Sequence, residues 1–90
     1  SQEVNKEVAV KIFNDPNFDL MYSRSIEDAW RVVDEMREKG FWFSIGHNQL
    51  IGPKWTVCFS KQGKGFSVGE NEPALAICKA ALRAIKEENE

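Results

Sequence analysis

Three short apolar runs between residues 41 and 69 constrain the fold more than any other part of this sequence, because in each of them every second residue is apolar. The runs cover residues 41–45, 55–60 and 66–68, and glycine-bearing turns separate them. Successive side chains of a strand point to opposite faces of a sheet, so this period predicts strands with one apolar face. The connections are too short for a crossover, which predicts an antiparallel three-stranded meander.

The two faces of the predicted sheet differ in composition. One face is apolar and must be covered, and it carries Phe41, Phe43, Ile45, Trp55, Val57, Phe59, Phe66 and Val68. The other face carries small and hydroxyl side chains with one large aromatic, namely Trp42, Ser44, Thr56, Cys58, Ser60 and Ser67. A lone tryptophan on such a face either stacks on the flat ring of a ligand or is covered by a helix or a second subunit. The sequence leaves both interpretations open.

Segments with helical periodicity precede and follow the predicted strands in the sequence. Residues 3–13 predict a short amphipathic helix that stops before Pro16, and residues 18–22 predict a short extended link. In the second helix Ser25 is the expected N-cap, with Asp28 three residues later, and Gly40 is expected to end it. The predicted core-facing stripe of this helix is Ile26, Ala29, Trp30, Val33 and Met36, with Val32 on its margin.

Pro73 is expected to open the last helix, because proline is preferred in a first turn. The predicted stripe of this helix is Leu75, Cys78, Leu82 and Ile85, with Ala74, Ile77 and Ala81 beside it. Ninety residues form a single domain, here residues 1–90. The expected fold is α+β in the order α-α-β-β-β-α, with the second and last helices on the aromatic face. If the first helix covers the other face, the fold has three layers, and if it joins the other helices, the fold has two.

Several stretches of the chain resemble a known family. They are residues 22–30 (YSRSIEDAW), 40–44 (GFWFS) and 72–82 (EPALAICKAAL), and residues 5–9 (NKEVA) are similar to the family's first helix. The family is that of the phage ABA sandwich domains. The resemblance implies an α/β/α sandwich and a bacteriophage or prophage origin, and it carries over no catalytic residue. The link between the first two helices is shorter here than in longer members.

Composition excludes several classes of function. Twelve Lys and Arg against fourteen Asp and Glu give a formal charge of -2, so no net basic field attracts a nucleic acid, and nucleic-acid binding is not expected. No stretch is apolar enough to span a membrane, and no signal peptide is visible, so we expect the protein in the host cytoplasm. Cys58 and Cys78 are expected to be buried reduced thiols. No metal-ligand spacing is present, and no cofactor is expected.

A catalytic site is not expected either. His47, the single histidine, has no acidic neighbour in its predicted loop, residues 47–53, and we interpret it as an exposed loop residue. The carboxylates lie on outer helix faces or at helix starts, where solvation and capping account for them. The sequence therefore predicts a protein that is not an enzyme.

The expected ligand site combines ring stacking, hydroxyls and positive charge. The loop Lys61-Gln62-Gly63-Lys64-Gly65 has two lysines and two glycines, which suit an anion, but a plain hairpin turn has the same composition. The start of the second helix suits a phosphate, although capping alone explains its residues as well. The candidate ligand-binding residues are Tyr22, Ser23, Arg24, Trp42, Ser44, Lys54, Thr56, Lys61 and Lys64.

The leading hypothesis is a non-catalytic phage-encoded protein that sequesters a small anionic, nucleotide-type signal and thereby acts against host defence. A single chain of this size offers little concave surface, so we expect a homo-oligomer with sites near its interfaces. The alternative is a protein-interaction module of a phage or prophage without a small ligand. A third hypothesis, a small nucleic-acid binder, predicts binding with steep salt dependence.

Overall fold

The computed structural model describes residues 2–15, 20–50 and 52–89 of the chain. The elements, in order, are α1 (Gln2–Lys11), α2 (Ile26–Glu38), β1 (Trp42–His47), β2 (Trp55–Lys61), β3 (Lys64–Glu70) and α3 (Pro73–Glu88). This order confirms the predicted α+β fold. The predicted break at Pro16 and the first part of the link after it fall on residues 16–19, outside the described residues.

The three strands form one antiparallel sheet in the order β1-β2-β3, which confirms the meander. Each strand extends beyond its apolar run, so that β1 reaches His47 and β3 begins at Lys64. Gln62 and Gly63 connect β2 to β3, and both have positive φ, 53° and 81°. Two such residues form a type I′ turn, whose twist matches that of the strands. The segment 61–65 is therefore a tight hairpin with a fixed register.

The apolar side of the sheet faces α2 and α3, as predicted. Val57 and Phe59 on the central strand are fully buried. The rings of Phe41 and Phe43 contact that of Phe59, with centroids 6.5 Å and 5.4 Å away. Burial of one such side chain stabilises the fold by about 1.5–3 kcal/mol. Ile45 is the exception, since it lies on the edge strand and 39% of its surface remains exposed.

The ends of α2 form as predicted. The Ser25 hydroxyl accepts a hydrogen bond from the Asp28 N–H at 3.4 Å. The Asp28 carboxylate accepts one from the Met21 N–H at 3.0 Å, so it fastens the preceding turn to the helix. At the other end Gly40 has a φ of 97°, and hydrogen bonds of the Schellman type close the helix.

The buried stripe of α2 is rotated relative to the prediction. Val32, expected on the margin, is fully buried, whereas Ile26 and Trp30, expected in the centre, are 49% and 48% exposed. The Trp30 ring still meets Phe43 edge-on, with centroids 5.5 Å apart. The reason is that α2 packs mainly against α3 and less against β1, which turns the stripe toward α3.

Helix α3 is also buried differently from its predicted stripe. Leu75 and Leu82 are only partly buried, while Ala76, Ala80 and Ala84 are fully buried. The helix contacts β2, β3, α1 and α2 at once. Because small side chains permit close approach on every side, the alanines rather than the leucines occupy its most crowded positions.

Helix α1 packs against α3, which answers the question that the sequence left open. Its residues Val8, Ala9 and Ile12 belong to the same buried cluster as the apolar side of the sheet. The resemblance implies helices on both faces of the sheet, but in this chain none of the three helices covers the face that carries Trp42.

Candidate functional site

The uncovered side of the sheet is the candidate site, and the strand register divides it into three rows. They are Trp42–Ser60–Gly65, Ser44–Cys58–Ser67 and Gly46–Thr56–Gly69. We call these nine residues the open face. Each row crosses all three strands, because the pairing is continuous from β1 to β3.

Trp42 stands at one corner of the open face and is 79% exposed. The predicted direction of its side chain, away from the core, is therefore confirmed. Ser60 lies directly across from it, and Ser44 lies two residues along β1. Thr56 belongs to the row at the other end, four residues along the strand, which corresponds to about 13 Å. Trp42 and Ser44 are thus neighbours, and Thr56 is remote from Trp42.

Glycines make the open face flat. A Cβ added at Gly46 would meet no atom within 4 Å, and one added at Gly65 would contact the Cys58 sulfur at 3.4 Å. At the opposite corner the ring of Pro53 lies against Gly69, in the space that a Cβ there would need. The surface that remains accessible around Trp42 is flat and polar, and it suits a planar group.

Trp42 also lines a cleft of about 690 Å³ beside the C-terminal half of α2. Its charged residues are Asp34, Arg37 and Glu38. Arg37 forms no ion pair within the described part of the chain. With one cation between two carboxylates, this cleft does not by itself concentrate positive charge.

The hairpin lysines lie on the helix side of the sheet. Lys61 is fully engaged, since its Nζ is 2.6 Å from Glu88 Oε2, donates to the Lys39 carbonyl at 2.8 Å and lies 5.0 Å from the centroid of Phe41. Lys64 is exposed, and it shares a cleft of about 220 Å³ with Glu87 and Glu88. The acidic residues of this cleft oppose an anion.

The predicted residues before α2 divide into two groups. Tyr22 is buried and stacks on Phe13, with ring centroids 5.2 Å apart. Ser23 is buried as well, and its N–H and its hydroxyl both donate to Asn5 Oδ1 at 2.8 Å. These contacts fasten the turn before α2 to α1. Arg24 is exposed, and so is Lys54 at the start of β2.

The titratable side chains near the sheet include one histidine and two free thiols. His47 ends β1 rather than lying in a loop, and its exposed ring contacts Trp55 at a centroid distance of 4.4 Å. Cys78 is buried as expected, and burial raises the pKa of its thiol to about 12. Cys58 is only half-buried, since it lies on the open face. No group of His, Cys, Asp and Glu in the described ranges could hold a metal ion.

Three residues of the open face or of the cleft beside Trp42 were missed as site candidates. Ser60 and Ser67 were expected on this face but not in the site. The pairing of β1 with β2 places Ser60 opposite Trp42, and the pairing of β2 with β3 places Ser67 opposite Cys58. Arg37 was not among the candidate residues either. No sequence signal identifies it, because its position beside Trp42 depends on the path of the chain through Gly40.

This arrangement is suited to binding a flat, polar molecule. An exposed indole can stack on a planar ring, and neighbouring hydroxyls can bind the polar edge of that ring. The hydroxyls of Ser44 and Thr56 make no hydrogen bond to the described residues, and both side chains are exposed.

Fold and open face together define a small α+β domain whose helices cover one side of a three-stranded antiparallel sheet. The family profile of the phage ABA sandwich domain matches residues 5–82, and the chain belongs to this family. The crystal structure of a phage protein from Bacillus cereus ATCC 14579 is similar, with a TM-score of 0.75 and 29% sequence identity over 90% of this chain and 87% of that chain. A comparison with curated proteins finds no match. Within the described ranges, no helix is long and apolar enough to cross a membrane.

Proposed function

We propose that this chain is a non-catalytic, phage-encoded protein that sequesters a small anionic ligand of nucleotide type in the host cytoplasm and so counters host defence. The observation that carries the proposal is Trp42, 79% exposed on a flat face of small polar residues. The ring of the ligand stacks on the indole, and the hydroxyls of Ser44 and Ser60 bind its polar edge. Lys54, an exposed cation at the other end of this face of the sheet, supplies the positive charge that attracts the ligand.

The proposed action is capture without chemical change. His47 contacts the indole ring of Trp55, and no carboxylate among the described residues pairs with it. Heating a purified complex should therefore release the intact nucleotide, which chromatography with mass detection identifies. Recovery of degraded nucleotide alone would show hydrolysis and overturn the non-catalytic part of the proposal.

A thermal-shift screen against cyclic and adenine-containing nucleotides tests binding. A ligand present at a hundred times its dissociation constant should stabilise the protein by about 2.7 kcal/mol. Trp42→Ala should weaken binding about tenfold, since stacking of one base contributes about 1–3 kcal/mol, and Trp42→Phe should retain most of the affinity. Val10→Ala is the control, because Val10 is an exposed apolar residue of α1. Equal binding by Trp42→Ala and Val10→Ala would remove Trp42 from the site.

A specific observation also supports the alternative, a protein-interaction module. Ile26, Trp30 and Ile45 leave apolar surface exposed near the edge of the sheet, on the side opposite to the open face. Exposed apolar clusters of this kind are typical of protein interfaces. Two results together would favour this function over sequestration. No nucleotide would produce a thermal shift, and a phage or host protein would copurify with the wild-type chain but not with the Trp30→Ala variant.

A further inference from the structure

The two edges of the sheet are protected to different extents. At β3 the guanidinium of Arg83 donates a hydrogen bond to the Ser67 carbonyl at 2.9 Å, and Lys79 pairs with Glu70 at 2.9 Å. Side chains and charges at an edge oppose the addition of another strand. The six residues of β1 include no lysine, no proline and no carboxylate, and no side chain within the described ranges donates a hydrogen bond to their outer backbone groups.

The hydrogen bonds of β1 show which of its backbone groups point outward. The Asn48 N–H donates to the Lys54 carbonyl at 2.7 Å, which continues the ladder between β1 and β2. Inward and outward groups alternate along an antiparallel edge strand. The N–H and C=O groups of Phe43, Ile45 and His47 therefore point away from β2, and they bond to no group in the described part of the chain.

Apolar side chains lie beside these free backbone groups. Ile45 is itself 39% exposed, and Trp30, 48% exposed, contacts Phe43 on the same strand. Ile26, one helical turn before Trp30, is 49% exposed. A partner strand would satisfy the backbone groups and cover these side chains in the same step.

We propose that β1 pairs antiparallel with β1 of a second copy of this chain, about a two-fold axis that passes beside Ile45. In this register Ile45 faces the partner's Ile45, and Phe43 faces the partner's His47. The residues whose backbone groups point outward, Phe43, Ile45 and His47, are spaced symmetrically about Ile45. In this register each of them therefore faces another such residue of the partner, and each facing pair can exchange two hydrogen bonds. The two sheets then form one continuous sheet, with both open faces on the same side.

The same register also brings a positive charge to the proposed ligand site at Trp42. This part of the inference rests on the proposed function. Within one chain Trp42 and Lys54 lie at opposite ends of the sheet. In the dimer Trp42 faces the partner's Asn48, which pairs with the partner's Lys54. Two strand spacings, about 10 Å, then separate Trp42 from the partner's Lys54, and alternation along the strands places both side chains on the open face. One chain supplies the aromatic ring, and the other supplies a cation, whereas the charged side chains of the cleft beside Trp42 sum to a negative charge.

Sedimentation velocity without nucleotide tests the interface. The wild-type mass should rise with concentration from one chain, 10.3 kDa, to two. Ile45→Lys should remain a single chain at every concentration, because the pairing would place two lysines opposite each other. Val10→Lys is the matched control, since it makes the same change at an exposed apolar residue of α1 and should dimerise normally. A wild-type protein that stays a monomer, or an Ile45→Lys variant that dimerises equally well, would overturn the proposal.

Cross-linking tests the register and does not depend on the folding of the lysine variant. Facing residues of a hydrogen-bonded pair have Cα atoms about 5.5 Å apart, within the range of a disulfide. Ile45→Cys should therefore form a covalent dimer on mild oxidation, and Val10→Cys should not. Equal cross-linking of both variants would reject the register. Because neither experiment uses a nucleotide, a dimer that binds none would refute the proposed function and leave the interface standing, whereas a monomer that binds one would do the opposite.

Discussion

Asn5 connects two parts of the chain that are far apart in sequence. It is fully buried, and its Oδ1 accepts hydrogen bonds from both the N–H and the hydroxyl of Ser23. Helical periodicity places Asn5 on α1 but gives no sign that its side chain is buried, because its partner lies eighteen residues away. This contact explains why the polar turn before α2 is structural rather than available to a ligand.

Asn5→Ala should destabilise the fold by about 1–3 kcal/mol, because it removes the acceptor of two buried hydrogen bonds from Ser23. Urea unfolding followed by circular dichroism measures this loss. Lys6→Ala changes the exposed neighbour on the same helix and should have little effect. If the two variants were equally stable, the hydrogen bonds of Asn5 would contribute nothing measurable.

The two thiols should differ in reactivity with iodoacetamide. At pH 9 the native protein should be alkylated at Cys58 and not at Cys78, because burial raises the pKa of the Cys78 thiol to about 12. Peptide mass mapping distinguishes the two sites, and alkylation in urea should modify both. Since the unfolded thiol loses its proton near pH 9 and the buried one near 12, the free energy of unfolding should also fall between these values. Rapid native alkylation of Cys78 would contradict its burial.

At the scale of the elements, local signals predicted the boundaries well and the buried faces less well. The N-cap at Ser25 and the end at Gly40 depend on interactions within a few residues, and both are present. The stripe of α2 is turned toward Val32, because its orientation depends on α3, which lies far along the chain. Periodicity identifies an amphipathic helix, but the angle of its buried stripe depends on which elements it contacts.

Gly40→Ala should destabilise the protein by about 1–3 kcal/mol, because a side chain is strained at a φ of 97°. The added Cβ would also lie 3.3 Å from the Cε of Lys61, which must move. Gly46→Ala is the matched control, since its Cβ would meet no atom within 4 Å. Urea unfolding should separate the two variants clearly. A Gly40→Ala protein as stable as Gly46→Ala would show that the helix can end in another way.

At the scale of the whole molecule, strand alternation was enough to place Trp42 on the polar side of the sheet, but not to show that this side is uncovered. That depends on α1, whose apolar residues could pack against either side and in fact pack against α3. The sequence also did not show where the positively charged side chains lie relative to Trp42. Lys61 is paired with Glu88, and Lys54 lies at the far end of the sheet from Trp42.

Arg83→Ala should allow assemblies larger than the proposed dimer. It removes the donor from the Ser67 carbonyl and so frees the outer edge of β3. Sedimentation at high concentration should then show species above two chains, which the wild type should lack. Arg31→Ala, a change on the exposed face of α2, is the control and should keep the wild-type distribution. Identical distributions for the two variants would mean that the guanidinium does not protect this edge.

In the proposed dimer, the hydrogen bond from Arg83 to Ser67 would limit the size of the assembly. A two-fold contact through β1 uses the unprotected edge of each subunit, and the edge that remains on either side is the one the guanidinium occupies. On this proposal, polymerisation would stop after a single association step. The protein would then use strand addition, the contact by which fibrils grow, and remain a discrete particle.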